Sequence, residues 1–165
     1  DQRGNEWMDG AAPWNRSYRC ADDGYITLCP VEARFYAVLL EKLGLEEDPL
    51  FADGNQWDKV RWAKQIQHLQ ALFSSKSRNH WCDLLEGSDA CFAPVLNYGE
   101  VQEHPHNAAR ESYIEIGGEW YPQPAPRFSG TRPEPAWENI PPPAPEKVLQ
   151  SLGLSETLLA ACLLD

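Results

Sequence analysis

Nine of the 14 prolines fall between Pro122 and Pro145. Proline has no N–H to donate and fixes φ, so neither a helix nor a central strand can run through this stretch. Residues 122–144 therefore read as an extended return linker. Folded structure must lie to either side of it. Upstream, residues 16–121 carry the periodic signals of a single α+β unit. Residues 1–15 precede it as an irregular N-terminal arm, broken by Gly4, Gly10 and Pro13. Downstream, residues 145–165 hold two short helical patterns, Pro145–Leu152 and Ser155–Leu164. The run from Leu158 to Leu164 is very apolar for a chain end, so a surface that buries it is expected.

Within the α+β unit the punctuation is clear. Arg16–Ala21 and Tyr25–Cys29 predict a hairpin across Asp22-Asp23-Gly24. Pro30 suits the first turn of a helix with an apolar stripe of Phe35, Val38, Leu39 and Leu43, ended by Gly44. Leu45–Trp57 reads as a polar loop. Asp58 caps a second helix to about Phe73, with Val60, Ile66, Leu69 and Phe73 among its apolar positions. Ser77 caps a third through Leu85, stopped by Gly87. Cys91–Leu96 is an apolar run of strand length, and Asn97 caps a short helix to Glu103. Tyr113–Ile116 and Glu119–Tyr121 predict a second hairpin around Gly117-Gly118.

Charge narrows the partners. The formal net charge is −11, which disfavours nucleic acid and anionic membrane surfaces. It also disfavours this chain as the main site for an anionic cofactor. No apolar run approaches the roughly 20 residues of a membrane span. The five cysteines are scattered with no Cys-x-x-Cys spacing, so they read as free thiols rather than a zinc or thioredoxin-like site. His104-Pro105-His106 lacks the accompanying Cys or carboxylates of a metal centre, and reads as a capped loop between two elements. No metal site and no bound cofactor is expected. His68 and His80 fall on helices as surface or boundary residues, and Cys91 sits in an apolar strand as a small hydrophobe.

Glu32 is the candidate site residue. It lies where a strand runs into a helix, in Asp23-Gly-Tyr-Ile-Thr-Leu-Cys-Pro-Val-Glu32-Ala-Arg-Phe-Tyr36. A carboxylate in a first helical turn complements the helix dipole, and that role alone accounts for many such residues. A site role requires something more specific.

Several blocks supply it, in order along the chain. Arg3-Gly4 precedes Met8-Asp9-Gly10-Ala11-Ala12-Pro13-Trp14. The Glu32 segment follows, then Arg61-Trp62, Trp81, and Ser88-Asp89-Ala90-Cys91-Phe92-Ala93-Pro94-Val95-Leu96. After these come His104-Pro105-His106-Asn107 with Arg110, and Pro124-Ala125-Pro126-Arg127-Phe128-Ser129. Together they resemble the linker, small domain and C-terminal segment of α-methylacyl-CoA racemases, in the class III CoA-transferase (CaiB/BaiF) superfamily. That resemblance implies a small domain which, with its arms and last helices, packs on a Rossmann-like large domain or a partner subunit in an interlocked homodimer. It implies 1,1-proton transfer at the α-carbon of a 2-methylacyl-CoA. Coenzyme A and the catalytic His and Asp would belong to the large domain, absent from this chain, with Glu32 supporting the His. Two departures stand out. Ala33 follows Glu32 where the family has proline, so the helix start is expected to differ. Pro141-Pro-Pro-Ala-Pro-Glu146 replaces a family Gly-Glu-His.

Three readings follow. The chain is part of a racemase-like isomerase and inactive by itself. It is a stand-alone, self-associating binding module. Or it belongs to a transferase that acts through an aspartyl-CoA thioester. A cytoplasmic location is expected, because no signal peptide precedes the arm and Leu163-Leu164-Asp165 is not a peroxisomal tripeptide.

Overall fold

The computed structural model describes residues 4–52, 55–131, 133, 144–155 and 158. The chain divides into two compact units, Asp1–Asn97 and Tyr98–Asp165, and each is described by itself.

The first unit is a three-stranded antiparallel sheet with three helices. Strands β1 (Arg16–Arg19) and β2 (Tyr25–Leu28) form the expected hairpin, with Tyr18 opposite Ile26. Asp23 takes a left-handed φ of 63° in the connecting turn, a conformation that aspartate tolerates. Strand β3 (Phe92–Val95) returns from far along the chain and pairs antiparallel with β2, Leu28 facing Phe92. Pro94 has no N–H, so its place opposite Ile26 is a position where the ladder needs no donor.

Helices α1 (Ala33–Leu43), α2 (Lys59–Phe73) and α3 (Arg78–Leu85) follow the sequence signals, with one shift. The Asp58 side chain accepts from the Val60 N–H, and the Ser77 hydroxyl accepts from the His80 N–H. Gly44 ends α1 at φ 67°. The start of α1 differs from expectation. Pro30 lies before the helix, and the N-cap is Glu32 in an extended conformation.

The core is aromatic. Trp14, Tyr18, Phe51, Trp62, Phe73 and Trp81 are all buried, along with Ile26, Leu28, Leu39, Leu69 and Leu85. Phe73 lies between Tyr18 at 5.1 Å and Trp81 at 5.0 Å, centroid to centroid. Burying each such side chain contributes about 1.5–3 kcal/mol. Three segments depart from the sequence expectation. The stretch expected as an arm packs its far end inside, with Ala12, Pro13 and Trp14 buried. The stretch expected as a polar loop sends Leu45, Phe51 and Gln56 into the core. Val60, expected among the apolar positions of α2, is 88% exposed; it is the second residue of the helix, whose core side is led by Trp62 and Gln65.

In the second unit, β4 (Tyr113–Ile116) and β5 (Glu119–Pro122) form the expected hairpin across Gly117 and Gly118, at φ 62° and 89°. The short helix expected over Asn97–Glu103 is a series of turns instead. The helix α4 lies at Pro105–Ala109, with His104 at its N-cap and Pro105 in its first turn. Proline at that position stops the preceding segment and starts the next. The His104-Pro105-His106 segment, expected in a loop, is thus a helix start. Helix α5 (Pro145–Ser151) forms where the first C-terminal pattern predicts one. Most of the second pattern, Ser155–Leu164, and most of the 122–144 linker beyond 131 lie outside the described residues. Among the described residues no helix is long and apolar enough to cross a membrane.

Candidate functional site

Glu32 sits on a platform in which nearly every backbone polar group has a partner. The Cys29 N–H donates to the Cys91 carbonyl at 2.9 Å, extending the β2–β3 ladder by one residue. The Val31 N–H turns back to the Cys29 carbonyl, also at 2.9 Å. The Pro30 and Val31 carbonyls, which face no strand or helix partner, both accept from the Gln56 side-chain amide at 2.9 Å. The Glu32 carbonyl then accepts from the Phe35 and Tyr36 N–H groups at 3.0 Å and opens α1. A turn so fully paired holds its direction, because any shift strands buried polar groups.

Gln56 is the residue that sequence reasoning missed. It is buried, and it acts at both ends. Its carbonyl accepts the indole N–H of Trp14 and of Trp62, each at 2.9 Å. Its amide holds the two carbonyls just before Glu32. The arm and α2 thus meet the backbone carbonyl of Gln56, while its side-chain amide holds the approach to α1, so four segments join at one residue. In the sequence it is one glutamine of the Leu45–Trp57 loop, with nothing to set it apart.

On this platform the Glu32 side chain is exposed and makes no capping hydrogen bond to its own helix. Helix capping, the ordinary task of an acid in this position, is left undone by the carboxylate. Glu32 is one of the charged or titratable groups around the Cys91 thiol, with Cys29, Asp89 and Arg34. Burial, with the negative charge of Glu32 next, raises the Cys91 thiol above its usual range. Cys91 does not lie in the strand, as its sequence suggests. It precedes β3 in a left-handed conformation, φ 49°, and is half-buried.

Beside Glu32, Ala33, Tyr36, Ala37 and Leu40 of α1 form one wall of an apolar cleft of about 420 Å³. Phe51, Gln56 and Trp57 form the facing wall. The Tyr36 hydroxyl is buried with no hydrogen-bond partner among the described residues, and burial pushes it up to about 12.

The four histidines fall elsewhere. His68 packs edge-on against Phe51 and His80 against Trp81, while His104 and His106 belong to the second unit. Among the described residues no group of three or more His, Cys, Asp or Glu could hold a metal ion.

Residues 1–145 match the family model for CoA-transferase family III. The chain is 34% identical over 157 residues to the mouse alpha-methylacyl-CoA racemase, covering 93% of this chain and 40% of that protein. It is 33% identical over 156 residues to the human alpha-methylacyl-CoA racemase, again covering 93% and 40%. It thus spans well under half the length of these relatives. In fold it is similar to Rv3272 from Mycobacterium tuberculosis, with a TM-score of 0.58 over 74% of this chain and 34% of that one, at 21% identity. The described architecture, a mixed helix-and-strand domain with small sheets, accords with that likeness. On the family model and the two racemases, this chain belongs to CoA-transferase family III.

Proposed function

We propose that the chain supplies the small-domain side of a site for 1,1-proton transfer on 2-methylacyl-CoA thioesters. Inverting such a carbon removes a weakly acidic α-proton and returns one to the opposite face. Two acid/base groups must flank the carbon, and donors must stabilise the enolate-like thioester oxygen. On this reading the two flanking groups, a His and an Asp, and the main coenzyme A contacts come from a large domain outside this chain. Glu32 accepts a hydrogen bond from the imidazole, fixes its tautomer and stabilises its protonated form. It acts as a positioning residue.

The observation that carries the proposal is the Glu32 platform. A carboxylate held on a turn whose backbone carbonyls are all paired, exposed and uncommitted to its own helix, suits a group that must meet a base from elsewhere. The identity to two alpha-methylacyl-CoA racemases across 93% of the chain supports the same choice. The acidic net charge fits a domain that leaves the phosphates of coenzyme A to another surface. The expected partner is that large domain, in the same chain or in the second subunit of a homodimer.

The test uses the full-length protein and this 165-residue chain side by side, with 2-methylacyl-CoA in D2O. Deuterium at the α-carbon with the full-length protein, and none with the chain alone, is the expected result. Exchange by the chain alone would overturn the division of the site. A family III CoA-transferase can instead move coenzyme A between acids, and the family model keeps that second reading in view. Trapping a covalent CoA adduct on the full-length protein, without α-proton exchange, would favour transfer.

A further inference from the structure

We infer that Cys29 and Cys91 form an oxidisable dithiol, closing to a disulfide under a peroxide or a low-molecular-weight disulfide. The inference does not depend on the racemase reading.

The register puts the two residues opposite each other. Leu28 faces Phe92, so the next pair outward is Cys29 and Cys91, and the hydrogen bond from the Cys29 N–H to the Cys91 carbonyl closes that pair. Only this one bond joins the pair, since the Cys29 carbonyl accepts from Val31. Facing residues of antiparallel strands have Cα atoms about 4.5–5.5 Å apart, inside the span of roughly 4.4–6.8 Å that a disulfide bridges. The alternation along β2 puts Cys29 on the outward face. Ile26 and Leu28 point into the core, while Tyr25, Thr27 and Cys29 point outward. Cys91, just before β3 and half-buried, lies close enough to Cys29 for that thiol to act on its own titration. The Cys91 sulfur lies 3.9 Å from the Asp89 carbonyl.

The two thiols are unequal, and that sets the order of events. Cys29 is exposed and meets the oxidant first. Cys91 is half-buried and held in its protonated form by burial and by Glu32. The Cys29 thiolate attacks one peroxide oxygen, the O–O bond breaks, and the departing hydroxide leaves as water. The Cys91 sulfur then attacks the Cys29 sulfenic sulfur. The S–S bond forms, the S–O bond breaks, and the second oxygen leaves as water with the Cys91 proton. Two thiols lose two electrons and one peroxide gains them.

A second pair provides a comparison within the same molecule. Cys20 and Cys82 also lie near each other, but Cys20 is almost fully buried. Burial pushes each of those thiols up to about 11, which keeps both in the unreactive form.

The experiment treats the folded, reduced chain with a small excess of hydrogen peroxide, blocks the remaining thiols and maps the cross-links. A protease that cuts at acidic residues is required. It separates Cys20 from Cys29 at Asp22 and Asp23, and Cys82 from Cys91 at Asp83 and Glu86. The expected result is a Cys29–Cys91 cross-link, with the thiol titre falling from five by two and recovering fully in dithiothreitol. Cys91→Ser should abolish the cross-link and leave Cys29 as a sulfenic acid. A Cys20–Cys82 link, or Cys29 oxidised in the native chain without capturing Cys91, would overturn the inference.

Discussion

The two units handle the same kind of residue in opposite ways. Between Ala12 and Ala90 the first unit buries tryptophan, tyrosine and phenylalanine behind helices and a three-stranded sheet. The second unit shows Trp120, Tyr121 and Phe128 to solvent, and all four residues of β5 are exposed. Its helices α4 and α5 contain no buried residue. A two-stranded hairpin by itself offers no second layer, and aromatic residues left exposed gain little from burial. The difference teaches where information about stability resides. In the first unit a side chain can be judged by the residues that bury it, whereas Trp120, Tyr121 and Phe128 of the second unit must be judged as exposed groups.

The largest effect expected from breaking this contrast is in the first core. Phe73→Ala should cost about 3–5 kcal/mol in urea unfolding, because it removes the ring between Tyr18 and Trp81. A loss below 1 kcal/mol would mean that the first unit is not the packed one. Next is Gln56→Leu, which leaves the Pro30 and Val31 carbonyls without their donor. About 1–3 kcal/mol should be lost. In the full-length protein the same variant should slow proton exchange, and its effect should not add to that of a Glu32 variant. Full additivity would detach Gln56 from the site.

A smaller effect joins the hairpin to α3. The Asp22 carboxylate accepts from the Arg78 N–H at 3.0 and 3.1 Å, and this bond, against a smaller opposing effect of burial, lowers its pKa below 3.8. The folded-state value is depressed, so the stabilisation is present above the unfolded value. It is lost as pH falls through the folded value. Asp22→Asn should therefore destabilise the chain at pH 7 and lose its difference from the native chain once acid has protonated the folded-state carboxylate. A difference that persists in acid would contradict the assignment. The smallest effect belongs to the second unit, where Trp120→Ser should change stability by less than about 0.5 kcal/mol. A large loss would show that the hairpin is packed after all.

How well the sequence could be read follows the same division of causes. Features set by local chemistry were legible. The Asp22-Asp23-Gly24 turn, the Asp58 and Ser77 caps and the Gly44 stop all act within a few residues. Features set by distant contacts were not. Leu45–Trp57 has a loop's composition, yet Phe51 and Gln56 are buried because the arm, α1 and α2 surround them. Pro30 suits a first helical turn, but Gln56 holds its carbonyl outside the helix, and α1 begins after Glu32. The short helix was expected at Asn97–Glu103 because asparagine caps helices, but Pro105 was the stronger start signal, eight residues later. Glu32 itself was legible through the surrounding motif and a family resemblance. The platform that aims it was not.

One measurement tests the central claim most directly, namely α-proton exchange by the full-length protein carrying Glu32→Gln. The side chain keeps its size and loses its charge, and the platform beneath it is untouched. Exchange should fall on the order of 100-fold, with the pH profile of the base displaced downward and thermal stability unchanged. Exchange at the native rate with an unaltered pH profile would reduce Glu32 to an ordinary acid at a helix start and contradict the account.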